Sequence, residues 1–263
     1  MAMPMTAQLA RIALFPIKSL DGVEVASATV LPSGALQHDR EFAIIDADHK
    51  VVNAKRTAQI QRLRSSFNLD QRRVTMSVQS RNPTSFHLDH DRAELAAWLS
   101  DYFGFRVTLI QNITTGFPDD LASPGPTIVS TATLAAVSQW YPDMTTEEMR
   151  RRFRTNLELS GVTAFWEDQL FDTAENPREF TIGTVQFYGI NPCQRCIVPT
   201  RDAAAGLPTA DFQKTFLQQR AASLPAQVNR DRFNHFYRLA VNTKIPASET
   251  GKQLYQQDIC RMI

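Results

Sequence analysis

Apolar and polar positions alternate in short runs over the first hundred residues, at 11–17, 23–31, 41–46, 74–78 and 106–110, with turn formers between them. A period of two in runs this short predicts β-strands with one face buried. One stretch breaks the pattern. In residues 91–103, DRAELAAWLSDYF, the side chains of Leu95, Trp98, Leu99 and Tyr102 recur at helical spacing, and Asp91 and Glu94 stand at the spacing of a capping box. That stripe reads as core. Residues 115–126, TGFPDDLASPGP, concentrate turn formers without periodicity and mark a boundary or surface crossing. Beyond them the pattern predicts helices at 131–140 and 145–153, the second opened by Thr145 with Glu148 three positions on. Strands follow at 155–159, 179–182 and 184–190, then a polar amphipathic helix at 211–220 and a late strand at 236–241. No repeat of fixed period and no low-complexity tract interrupts the order. The class is β-rich α+β.

Composition changes this picture mainly by exclusion. The 263 residues are 43% hydrophobic, enough for a real core, and 28 Lys and Arg against 27 Asp and Glu leave a net charge of +1. Such a balance argues against a broad nucleic-acid or membrane-surface footprint, so any partner is recognised locally. The opening MAMPMTAQLARIALF lacks a basic segment followed by a long apolar one, and no apolar run approaches the roughly 18 residues of a membrane span. A soluble, cytoplasmic protein is expected. Cys193, Cys196 and Cys260 are too few for a disulfide scaffold or a four-thiolate metal site. A redox enzyme of this kind would have to take its electrons from elsewhere.

Candidate chemistry gathers in four places. Cys193 and Cys196 form C-x-x-C after the expected strand TVQFYGI. A zinc site needs two further ligands, which the spacing of the five histidines does not offer. A thioredoxin-like pair belongs at a strand-to-helix turn, whereas IVPT here reads as another extended run. One thiolate can also bind a soft, redox-active metal whose other ligands come from a cofactor. Arg195 and Arg201 favour a thiolate nearby, although two small buried hydrophobes in a core loop would look the same. In RRRFRTNLELSG, residues 150–161, Arg154 can fork onto a phosphate, and Asn156 lies on the same strand face. Arg150 and Arg151 read as a solvated helix end. Lys18 and Ser19 in FPIKSLDG follow a strand, where a loop can present an ammonium and a hydroxyl to a phosphate or pterin edge. Asp39 and Arg40 in QHDREFAII precede another strand as a possible ion pair.

Taken in order, FPIKS, HDREFAII, FRTNLELSG, FWEDQL and NPCQRCIVPTRD resemble the MOSC family, named for the C-terminal domain of molybdenum cofactor sulfurase. Within it the pattern is most similar to the mitochondrial amidoxime reducing component and its bacterial counterparts. The resemblance spans nearly the whole chain. It implies an N-terminal MOSC-type β-barrel region over 7–120 and a β-barrel MOSC domain with peripheral helices over 121–263. It also implies a molybdenum cofactor, molybdopterin with Mo, with Cys196 as metal ligand and Cys193 as a variable neighbour. Lys18, Ser19, Arg40, Ser130, Arg154, Asn156, Arg195 and Thr200 would contact the cofactor, and Asp168 would be an acidic catalytic residue near the metal.

The implied reaction is reduction of N-hydroxylated compounds with electrons from a separate flavin, haem or iron–sulfur protein. The alternatives are a cofactor carrier or sulfur-transfer module using a Cys196 persulfide, and a structural β-barrel without cofactor. Two features depart from the family pattern. Pro199 stands where a second threonine is usual, and the segment after Val241 lacks the expected glycine-valine-glycine-aspartate ending.

Overall fold

The computed structural model describes residues 6–79 and 81–263. Its strands, in chain order, begin with β1 (Gln8–Leu14), β2 (Val23–Val25), β3 (Ser27–Thr29), β4 (Phe42–Asp46), β5 (Arg64–Asn68), β6 (Arg73–Val78) and β7 (Arg81–His87). Helix α1 (Arg92–Phe103) leads into β8 (Val107–Gln111). Then come β9 (Ile128–Ser130), α2 (Thr131–Ser138), α3 (Thr146–Phe153), β10 (Leu157–Ser160), β11 (Arg178–Ile182) and β12 (Val185–Gln194). The chain ends with α4 (Phe212–Ala222), β13 (Arg238–Lys244), β14 (Gln253–Tyr255) and β15 (Cys260–Met262). The protein is β-rich α+β, as its hydrophobic pattern indicates.

Eight strands form one sheet in the order β15-β11-β12-β13-β9-β10-β1-β2. Its two ends meet. Gln8 bridges Ile259, and backbone bonds run from Leu9 N–H to Asp258 O (2.8 Å), Gln257 N–H to Leu9 O (2.7 Å) and Cys260 N–H to Ala7 O (2.8 Å). The sheet thereby curls round Leu9, Ile12, Leu157, Phe180, Phe187 and Val241, all fully buried. The C-terminal segment that lacks the expected family ending therefore bonds to β1 and supplies the edge strand β15. Strands β9 and β10 run parallel, and α2 and α3 provide the crossover that parallel pairing demands.

A second core lies between the β4–β8 pair, the β5-β6-β7 sheet and α1, with Leu95 and Leu99 of the expected helical stripe at its centre. A third packs α2, α3 and α4 through Phe153, Phe212 and Phe216. Among the described residues no helix is long and apolar enough to cross a membrane.

Several local expectations are corrected. The run 23–31 is not one strand: Val25 pairs with Ile12 of β1, whereas Ala28 pairs with Leu254 of β14, so the chain changes partner at Ala26. The capping box of α1 does not form, because the Asp91 carboxylate accepts the N–H of His87 instead. Thr145 does cap α3, accepting from Glu148 N–H at 3.1 Å. The expected extended run IVPT is instead a 3-10 turn at Val198–Thr200, with Pro199 in its first turn, where its fixed φ fits and no N–H is required. Strand β7 is missed by the pattern because both its faces are largely exposed.

Candidate functional site

The loops that leave β1 and β12 converge with the α3–β10 junction and the 115–127 crossing on one cavity of about 1050 Å³. Lys18, Ser19, Arg40, Arg154, Asn156, Cys193, Arg195 and Cys196 all line it. Residues far apart in sequence thus share one wall. Twelve basic and seven acidic side chains border the cavity, so a nearly neutral chain concentrates its positive charge here. The field inside favours an anion.

Three of these residues hold left-handed backbone: Ser19 at φ 74°, Arg40 at φ 51° and Arg154 at φ 51°. Non-glycine residues adopt this region at a cost, and such strain gathers where a side chain must be aimed. Arg154 is the C-cap of α3, the place where glycine is usual. Its left-handed turn swings the guanidinium over the Phe15 ring, 4.2 Å from the centroid. Arg40 lies over the same ring at 5.6 Å.

The two arginines differ in their partners. Arg40 pairs with Asp39, whose other oxygen accepts the Phe15 N–H at 2.9 Å. Burial pulls the Arg40 guanidinium down, but Asp39 and Asp119 more than offset it and hold it above its ordinary value. Among the described residues the Arg154 guanidinium has neither a hydrogen bond nor an ion pair. Burial, reinforced by the Arg40 charge, pulls it down to about 10. An unpaired cation desolvated beside a second cation calls for an anion that the protein itself does not supply.

Lys18 and Asn156 brace this wall. The Lys18 ammonium donates to Phe117 O (2.9 Å) and Pro118 O (3.3 Å) and pairs with Asp119 (2.8 Å), strapping the crossing loop over the cavity. Asn156, 2% exposed, donates to Ala13 O (3.1 Å) and accepts from the Thr127 N–H and hydroxyl, each at 3.3 Å. Its Oδ1 also lies 3.5 Å from Arg40. The Asn156 amide joins β1, the start of β9 and Arg40, which makes it a positioning residue.

All three cysteines are free thiols. Cys260 is buried in the main core, where burial pushes its thiol up to about 12 and leaves it inert. Cys193 and Cys196 are half-buried at the cavity. Arg195 donates to Cys193 Sγ at 3.2 Å and, through its other terminal nitrogen, to Phe153 O. Among the described residues no group of three or more His, Cys, Asp or Glu side chains is placed to hold a metal ion.

Three sequence candidates do not reach the cavity. Asp168 is 2% exposed, and both its oxygens accept from Arg220, at 2.7 and 2.5 Å. Arg220 is itself stacked between Phe165 and Phe233, so the pair is a buried structural clamp between α4 and the 3-10 turn Trp166–Leu170. Ser130 is fully buried and caps α2, accepting from Thr133 N–H at 3.1 Å. Thr200 turns its hydroxyl onto Ile197 O at 2.7 Å, while its neighbours Pro199 and Arg201 face the cavity. Conversely, sequence reasoning overlooked Arg238, which lines the cavity from β13. A lone arginine inside the apolar strand FYRLAV was its one signal.

Comparison with known proteins gives two family matches, the MOSC N-terminal beta barrel domain over residues 6–106 and the MOSC domain over residues 127–245. The molybdenum cofactor sulfurase of Drosophila mojavensis is 25% identical over 218 residues, covering 72% of this chain and 27% of its own length. Molybdenum cofactor sulfurase 3 of Aedes aegypti is 33% identical over 82 residues, 31% of this chain and 11% of its own. The chain thus spans about a quarter or less of the length of these relatives. The YUAD protein from Bacillus subtilis aligns over 98% of this chain and 96% of its own at 11% identity and a TM-score of 0.38, too distant for residue-by-residue comparison of sites.

Proposed function

Because the chain belongs to the MOSC-domain family and is related to molybdenum cofactor sulfurases, we propose that its cavity binds a molybdenum cofactor and that the loaded protein reduces N-hydroxylated compounds. The observation that carries this reading is Arg154: a half-buried guanidinium on strained backbone, with no hydrogen-bond or ion-pair partner among the described residues, on the cavity wall beside Arg40. A phosphate offers such a pair charge and two acceptors in the fork geometry that arginine prefers. The residues present therefore fit the anionic end of a pterin cofactor. When bound, that cofactor supplies a redox-active metal with sulfur ligands and two-electron oxygen-atom chemistry.

The chain's own share is positional. Arg154 and Arg40 hold the phosphate against the Phe15 platform, Lys18 keeps the crossing loop closed over it, and Asn156 fixes the register of the three elements beneath. Ser19 offers a hydroxyl from its left-handed turn. Cys196 provides the protein thiolate for the metal, and Arg195 adds positive charge beside it. Electrons come from a separate flavin, haem or iron–sulfur donor protein, and the location is cytoplasmic. Asp168 takes no part, since its carboxylate is committed to Arg220.

The decisive experiment is metal and pterin analysis of protein purified from a molybdenum-competent host. Wild type and Cys193→Ser should carry molybdenum, and Cys196→Ser should lose it by at least about tenfold. Equal molybdenum in Cys196→Ser and wild type overturns the ligand assignment. A second reading, a carrier or sulfur-transfer role through a Cys196 persulfide, is favoured by one observation: Cys196 is a free, half-buried thiol on the cavity wall. Turnover of benzamidoxime with a chemical reductant separates the two, because a carrier binds cofactor and reduces nothing.

A further inference from the structure

The basic residues of the cavity fall into two sets. Arg11, Arg64, Arg150 and Arg152 each pair with a carboxylate, on Glu24 (2.8 Å), Asp21 (3.1 Å), Glu158 (2.7 Å) and Glu148 (2.6 Å). Among the described residues Arg238 has no carboxylate partner. Its two terminal nitrogens donate to Pro192 O (2.7 Å) and Asn234 Oδ1 (2.8 Å), and its Nε is buried with no acceptor. Neutral acceptors aim the guanidinium without cancelling its charge, and each terminal nitrogen keeps a second N–H.

Beside it on the same two strands stands an amide pair. Asn191 of β12 and Asn242 of β13 are register partners, as are Gln194 and Arg238. Asn242 donates to Asn191 Oδ1 at 3.0 Å, which leaves the Asn191 NH₂ without an acceptor among the described residues. Arg238, Asn191 and Asn242 all border the cavity.

This cluster lines the cavity from β12 and β13, whereas Arg154 lines it from the end of α3 and Arg40 from the loop before β4. Cys193, on the same strand as Asn191, lines the cavity as well. A cavity of about 1050 Å³ exceeds the upper part of the range usual for a single small ligand, about 1,000 Å³. A second molecule has room beside the first.

We propose that Arg238, with the Asn191 and Asn242 amides, forms a second anion subsite that takes the carboxylate of the substrate, so that this protein prefers N-hydroxylated compounds carrying an acidic group. The substrate class rests on the function proposed above; the subsite itself rests on the unpaired guanidinium and free amide. The guanidinium and the Asn191 NH₂ are donors, and a planar carboxylate satisfies both.

The test uses the full chain loaded with cofactor, a chemical reductant, and the matched pair benzamidoxime and 4-carboxybenzamidoxime. Wild type should show the higher kcat/KM for the carboxylate compound. Arg238→Gln should reduce the ratio of the two kcat/KM values about tenfold, chiefly through KM, and Arg238→Lys should restore part of it. An unchanged ratio in Arg238→Gln, or a wild type without preference, overturns the proposal. Calorimetric titration of 4-carboxybenzamidoxime into the same proteins keeps the two readings apart. If neither compound turns over, the reductase reading fails, and the subsite then stands or falls on binding. Tighter binding by wild type than by Arg238→Gln, about tenfold, supports it; equal binding sinks it.

Discussion

Arg154 combines two unfavourable features at one position, a left-handed backbone and a guanidinium with no hydrogen-bond or ion-pair partner among the described residues. The backbone alone costs about 1–3 kcal/mol. Glycine at 154 removes both features, at the expense of the 0.5–1 kcal/mol, roughly, that its extra backbone freedom costs. Arg154→Gly should therefore raise the stability of cofactor-free protein by about 1 kcal/mol while lowering its molybdenum content after expression in a competent host. Thermal denaturation checks the first half, and a lower Tm in Arg154→Gly contradicts the strain argument. The sequence exposes this residue through the R-x-N spacing ahead of a strand. Asp168 is the opposite case. An acidic residue in FWEDQL looks equally available for chemistry, and only the position of Arg220, fifty-two residues away, commits it to a structural clamp.

Strand β12 carries Asn191 and Cys193 to the cavity, and its path depends on a close approach. At Gly189 an added Cβ would stand 1.6 Å from Leu170 O and 2.6 Å from its carbonyl carbon. The strand crosses the 3-10 turn with no space for a side chain. Gly189→Ala must push the two apart, with an expected loss of about 3 kcal/mol in urea denaturation and reduced molybdenum loading. Near-native stability would show that the crossing can relax. Hydrophobic alternation ends this strand at 190, because Asn191-Pro192 reads as a turn. The structure continues it to Gln194 by pairing with β13 through register shifts at Gly189/Asn191 and Pro192/Gln194. Proline is tolerated at such a bulge since its missing N–H interrupts no regular ladder.

Across the whole molecule, Glu41 is the hub that gathers Arg72, Gln111 and His38. Burial alone would raise its carboxyl, but hydrogen bonds from His38, Arg72 and Gln111 outweigh it and hold the group at about 2, against an ordinary 4.5. A carboxylate depressed in the fold stabilises it fully above its unfolded value and loses that contribution as pH falls through the folded one. Stability should thus decline from pH 4.5 towards pH 2, with ~3 kcal/mol traceable to this group. Denaturant titrations across that window should show a flatter acid limb in Glu41→Gln; an unaltered limb would assign the acid sensitivity elsewhere.

The same distance in sequence separates what was legible from what was not. By itself the sequence determined the β-rich class, the helical core stripe at Leu95 and Leu99, the α3 cap at Thr145 and the ordered motifs that mark the family. Those depend on neighbours within a few positions or on residue type alone. Tertiary structure decided the joining of β1 to the C-terminal segment, the single cavity wall shared by Lys18, Arg40 and Arg154, the withdrawal of Asp168, Ser130 and Thr200, and the entry of Arg238. Each of those turns on which distant carbonyl, carboxylate or strand edge reaches a side chain first, and a local pattern carries no record of that competition.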